Sequence, residues 1–211
     1  LSNQLKTIPE ETFMFCDSLK TVNIPEGVTS ISSDAFYSCF NLSDIKLPET
    51  LQSINSFAFH SCTKLDSIII PNSVIKLDSH AFSYCNGLKS IQLSNSLSEL
   101  SYNVLVGCTS LASLTIPASV KTISEGALLN CSAIKIIQSL AVTPPTISDL
   151  FASEYALGGI STTIPLVVPE EAIANYRAAK YWGGFTNTYE LNKVFSVAER
   201  RYAITSATSP L

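Results

Sequence analysis

The sequence predicts a β-rich (α+β) solenoid of 23-residue coils, with parallel strands, short helical or 3₁₀ turns, and a C-terminal cap containing a strand and a helix. Three observations predict it. Cys16, Cys39, Cys62, Cys85, Cys108 and Cys131 each lie 23 residues after the last, and a fixed period of about 20–29 residues marks a stacked repeat. Six further apolar columns keep the same period without insertion or deletion, beginning at Leu5, Ile8, Phe13, Leu19, Val22 and Ile24. The pattern then fails at Ser139, where an inward aliphatic is due, and Pro144-Pro145 follows.

Each coil reads in the same order. Leu19-Lys20-Thr21-Val22-Asn23-Ile24 has the form L-x-x-L-x-L, the strand signature of leucine-rich repeats. Side chains alternate across a strand, so Val22 and Ile24 face inward and Asn23 outward. Pro25, Pro48, Pro71 and Pro117 end their strands, because proline cannot donate to a continuing ladder. Val28-Thr29-Ser30-Ile31 returns as a second short extended stretch. Asp34-Ala35-Phe36-Tyr37-Ser38-Cys39 is a tight turn, whose small Ala35 lets coils approach and whose Phe36 fills the centre. Phe13, Phe59 and Phe82 share the column of Phe36, and Leu105 and Leu128 replace them later. One coil cannot bury these residues; stacking can. With strands ~4.8 Å apart, six coils give a rod of roughly 30 Å.

The leucine-rich-repeat solenoid spans residues 1–140 and a capping segment spans 141–192. Leu1 falls partway through a coil, so the natural chain is expected to continue upstream. A bare solenoid end would expose apolar surface and open strand edges, which a cap covers. Thr163 to Val168 reads as its strand. Pro169 suits the first turn of a helix, Glu170 and Glu171 sit near the positive helix end, and Ala172, Ile173, Tyr176 and Ala179 form the apolar face. Trp182 and Phe185 flank Gly183-Gly184 as a plug. Residues 193–211, with Val194-Phe195-Ser196-Val197, are a linker, a final strand or the start of a further element.

The pattern I-x-x-x-A-F-x-x-C-x-x-L-x-x-I-x-(I/L)-P, matched at Ile31, Ala35, Phe36, Cys39, Leu42, Ile45, Leu47 and Pro48, resembles the BspA-like leucine-rich repeats of bacterial surface proteins. The segment from Val168-Pro169 to Phe185 resembles the closing segment of many Bacteroidetes members. The resemblance implies a secreted or cell-surface protein, binding an extracellular or host protein or another bacterial surface protein.

Chemistry is sparse. The cysteines form a line, one per coil, and do not converge as metal ligands must. Ladder neighbours would form poor disulfides because their side chains point in parallel, which leaves buried thiols acting as small hydrophobes. His60 and His80 occupy different positions in their coils, and no Asn or Asp partner completes a Cys–His site. No G-x-S-x-G, H-E-x-x-H, P-loop or dinucleotide fingerprint occurs. No enzyme, metal or cofactor is expected. The chain is 46% apolar and 14% charged with net charge −4. It lacks the basic stripe a nucleic-acid partner needs and any run of ~20 apolar residues for membrane insertion.

Function is therefore expected on the outward strand positions. The candidate partner-binding residues are Lys20, Asn23, Asp44, Lys46, Asp66, Ile69, Lys89, Gln92, Thr115, Lys135 and Gln138, with Ile69 and Ile136 as apolar exceptions. Tyr37 or Tyr102 on the turn side adds an anchor of the kind interfaces favour. A protein-binding or adhesion module is the first reading; a passive spacer presenting another domain is the second. Glycan binding is less favoured, since the strand face has no aromatic ladder.

Overall fold

The computed structural model describes residues 4–148 and 157–191. The tail readings for 193–211 lie outside the described residues. Strands alternate between two parallel ladders. The shorter holds β1 (Thr7–Ile8), β3 (Ser30–Ile31), β5 (Ser53–Ile54), β7 (Lys76–Leu77), β9 (Glu99–Leu100), β11 (Thr122–Ile123) and β13 (Thr146–Ile147). The longer holds β2 (Thr21–Asn23), β4 (Asp44–Lys46), β6 (Ser67–Ile69), β8 (Ser90–Gln92), β10 (Leu114–Ile116) and β12 (Ile137–Ser139), and continues through β14 (Pro165–Val168) and β15 (Asn187–Glu190). Strand pairing is interrupted between β4 and β6 and between β8 and β10 in this ladder, and between β7 and β9 in the shorter one. Pairing joins residues 23 apart, as in Val22 with Ile45 and Ile31 with Ile54. The core between the ladders is formed by the predicted columns, with most members fully buried.

The expected tight turns are strings of single i→i−3 bonds instead of continuous helices. Tyr37 N–H donates to Asp34 and Cys39 N–H to Phe36, while the intervening Phe36 and Ser38 N–H groups donate to Ala58 and His60 of the next coil. Alternation of local and inter-coil donors needs a changing backbone, and two columns sit at positive φ. One runs Glu11, Asp34, Phe57, His80, Asn103, Gly126; the other Phe15, Ser38, Ser61, Tyr84, Gly107, Asn130. Gly126 and Gly107 take this left-handed conformation without steric cost, and asparagine tolerates it. Aromatic residues there are uncommon.

Four phenylalanines stack down the centre: Phe13, Phe36, Phe59 and Phe82, with ring centroids 5.0–5.1 Å apart. The cysteines beside them are free, and each buried thiol donates backward. Cys39 Sγ reaches the Phe13 carbonyl at 3.0 Å, Cys62 that of Phe36 at 3.3 Å, Cys85 that of Phe59 at 3.1 Å, Cys108 that of Phe82 at 3.2 Å and Cys131 that of Leu105 at 3.2 Å. Burial pushes Cys85 and Cys131 up to about 12 from 9.0.

Beyond the sixth coil the chain adds strands to the longer ladder: β14 pairs in parallel with β12, and β15 with β14. β14 begins at Pro165, since a turn closed by Ile164 N–H to Ser161 holds the residues before it. A 3₁₀ turn at Glu170–Ala172 leads into α1 (Ile173–Ala178). Ala172, Tyr176, Trp182 and Phe185 are buried. The break at Ser139 has a structural reason: Tyr176 Oη donates to Ser139 Oγ at 2.7 Å and lies 3.1 Å from the Ala141 carbonyl. Trp182 Nε1 donates to the Pro145 carbonyl at 2.8 Å. An aliphatic at 139 would bury that phenol without its closer partner.

Tyr176→Phe is expected to lower unfolding free energy by about 1–2 kcal/mol, the range for a buried hydroxyl losing its partners. Ser139→Ala with Tyr176→Phe should cost less than the two single changes summed. Denaturant titration of the double-mutant cycle measures this, and strict additivity contradicts the docking role.

Candidate surface for partner binding

The outward residues of the longer ladder follow from strand alternation, and the structure locates each. Lys20, Asn23, Asp44, Lys46, Asp66, Ile69, Lys89, Gln92 and Lys135 are exposed. Asn23 lies beside Lys46, and Ile69 beside Gln92. Ile69 is 60% exposed, and Lys89 Nζ lies 3.3 Å from Asp66 Oδ2 in an exposed pair, an interaction that contributes little. Thr115 and Gln138 are half-buried. They lie in one row with Val167 and Tyr189, and Thr115 Oγ1 donates to Gln138 Oε1 at 3.2 Å. Ile136, expected outward and accessible, is only 4% exposed. The accessible ribbon therefore belongs mainly to the first four coils, while Thr115 and Gln138 lie in the row that β14 and β15 extend.

Sequence reasoning named Tyr37 and Tyr102 on the turn side but missed the row to which they belong. Tyr37 stacks on His60 with centroids 4.5 Å apart, and Phe57 on His80 at 4.4 Å. Phe15 meets Tyr37 edge-on, Tyr84 meets His60 and Tyr102 meets His80. These residues come from two positive-φ columns and their neighbours, so the 23-residue period itself was the signal. Tyr102 is exposed, whereas Tyr37 is half-buried in the stack.

His60 has a partner 23 residues away: its Nδ1 lies 2.6 Å from Ser83 Oγ. This is no nucleophile–base pair. Ser83 is fully buried, and its hydroxyl donates to the His80 carbonyl at 2.9 Å, so the imidazole supplies the proton between them. Among the described residues no three His, Cys, Asp or Glu side chains cluster for a metal. No described helix is long and apolar enough to cross a membrane.

Two parallel ladders around stacked apolar columns, with polar outward positions, define a leucine-rich-repeat scaffold, a class that uses extended surfaces for binding. The chain belongs to the BspA type leucine rich repeat family, whose model matches residues 1–141 in 6 copies. No curated protein matches it. Among solved structures it is similar to the leucine-rich repeat protein TpLRR of T. pallidum, with TM-score 0.61 and 25% identity over 84% of this chain and 78% of that one. It is also similar to a leucine-rich repeat protein from Eubacterium ventriosum, with TM-score 0.52 and 22% identity over 67% of this chain and 44% of that one. The pneumococcal vaccine antigen PcpA gives TM-score 0.52 and 20% identity, over 92% of this chain and 40% of that one. The chain thus spans less than half of the latter two, and those two likenesses concern the fold alone.

Desolvation lowers the pKa of His60 and His80 from 6.5, with His80 adding repulsion at His60. The folded chain favours the neutral rings, so the unfolded chain takes up protons first as pH falls. Their contribution is complete above 6.5 and lost as pH falls through the lowered folded values. The urea midpoint should drop from about pH 7.5 to about 5.5, and drop less in His60→Gln/His80→Asn. Equal drops in the two proteins contradict this.

Proposed function

We propose that this chain is a non-enzymatic protein-binding or adhesion module of a secreted or cell-surface protein, docking its partner on the outward face of the longer ladder. The observation that carries the reading is the ribbon of the first four coils. There Asn23, Lys46, Ile69 and Gln92 stand exposed on successive parallel strands, and with Lys20, Asp44, Asp66 and Lys89 the face is mostly polar and mixed in charge. A regular row of this kind meets an extended partner surface with one side chain per coil, ~4.8 Å apart. Ile69 supplies an apolar anchor among polar neighbours, the composition expected at an interface centre. Family membership supports a scaffold role, and the extracellular or host-protein partner follows from the family's association with bacterial surfaces. The candidate residues Lys20, Asp44, Asp66 and Lys89 are assigned to orienting contacts at the rim, where charges govern encounter and register.

The test is retention on immobilised extracellular matrix. The wild-type chain should bind saturably, and Lys46→Glu/Ile69→Ser/Lys89→Glu should weaken binding at least tenfold while keeping the same denaturation midpoint within error. Unchanged binding by that variant would exclude the ribbon. Absence of wild-type binding, to matrix or to intact neighbouring bacteria, would remove the adhesion reading.

A further inference from the structure

The turn row has three properties that the fold does not require. First, its aromatic side chains occupy places where small residues serve equally well. Phe15 and Tyr84 share a positive-φ column with Ser38, Ser61, Gly107 and Asn130. Yet Phe15 is 58% exposed and Tyr84 47% exposed, so solvent-facing rings sit on backbone that disfavours them. Backbone strain of this kind collects at functional surfaces. Second, the row is contiguous across five coils, from Phe15 to Tyr102. Third, its charge has one sign. The turn segments 10–17, 33–40, 56–63, 79–86, 102–109 and 125–132 contain no lysine or arginine, but do contain Glu10, Glu11, Asp17, Asp34 and Glu125. Glu11 and Asp34 hold the same position in adjacent coils, and the Glu11 N–H donates to the Ser33 carbonyl next to Asp34, so these carboxylates lie side by side, with Glu10 next in the chain.

Stacked pairs such as Tyr37–His60 and Phe57–His80 use their faces on each other, leaving little flat ring surface for a sugar. Exposed Phe15, Tyr84 and Tyr102 remain for cation–π contact, with carboxylates at both ends of the row. From Glu10 in the first coil to Glu125 in the sixth the face covers five steps, about 24 Å, the length of roughly eight extended residues. We infer that the turn face is a second docking surface, separate from the strand ribbon, and that its ligand is an extended arginine-rich segment of a partner protein. Arginine fits better than lysine, because the planar guanidinium both stacks on rings and pairs with carboxylates.

The test uses fluorescent octa-arginine, with octa-glutamate as control, and variants that copy residues from the same columns in other coils. Phe15→Ser/Tyr84→Ser/Tyr102→Ser removes the rings, and Glu10→Ser/Glu11→Asn/Asp34→Asn removes the carboxylates. Glu26→Asn/Glu49→Asn/Glu171→Gln makes the same charge change at exposed positions outside both rows. Wild type should bind octa-arginine saturably and octa-glutamate not at all. The ring variant should lose at least fivefold and the carboxylate variant at least tenfold, with the control within twofold of wild type. No saturable wild-type binding overturns the inference. So does full binding by the ring variant, or a loss in the control equal to that in the carboxylate variant, either of which reduces the effect to bulk charge. Ribbon docking is untouched by these outcomes, since the matrix test uses different residues.

Discussion

The stacking interface between one coil and the next constrains everything else in the molecule. At its centre a phenylalanine lies on the phenylalanine before it, and the adjacent cysteine donates to that earlier residue's carbonyl. Both contacts link positions a fixed number of residues apart, so an insertion in any coil would break them together. The Phe36 carbonyl also accepts the Cys39 N–H, which ties the turn's own closure to its bond with the following coil. Local and inter-coil order therefore form together, as expected where each repeat is stable only against its neighbours.

The same constraint makes the surface regular. Because the coils keep register, each outward position recurs at a fixed step and builds a row, whatever residue occupies it. The ribbon and the turn row are two such rows with different chemistry. One is polar and mixed in sign; the other is aromatic and carries only carboxylates as formal charges. The cap ends the stack without interrupting it: β14 and β15 continue the ladder, while Tyr176 and Trp182 bind polar groups of the sixth coil and its exit.

The repeat was legible in the sequence because burial imposes a strict apolar pattern, and the cap helix because Pro169, Glu170, Glu171 and the Tyr176 face obey ordinary helix rules. β15 was not legible. Asn187–Glu190 is polar and half-buried throughout, so it has no hydrophobic alternation to read. Ile136 was assigned outward and accessible by period, yet it is only 4% exposed, and the repeat pattern of a single coil does not encode that burial. In the turn row, the stacked pairs Tyr37–His60 and Phe57–His80 each follow the 23-residue period, but the edge contacts that join them to Phe15, Tyr84 and Tyr102 cross between columns, and only the folded turn shows which columns lie side by side. Gly107, Gly126, Asn103 and Asn130 marked the left-handed columns in hindsight, through residues suited to positive φ.

Thiol exchange tests the stacked core most directly. Cys62, Cys85 and Cys108 are fully buried, and burial raises their pKa values further above 9.0, so none presents a thiolate near neutral pH. With excess Ellman's reagent and no reductant, half-buried Cys16 should react first. The three central thiols should follow together, at one rate equal to global unfolding, and six thiols should titrate after denaturation. Rapid or independent reaction of Cys85 in the native protein, or a denatured count below six, would contradict a continuous core of free cysteines.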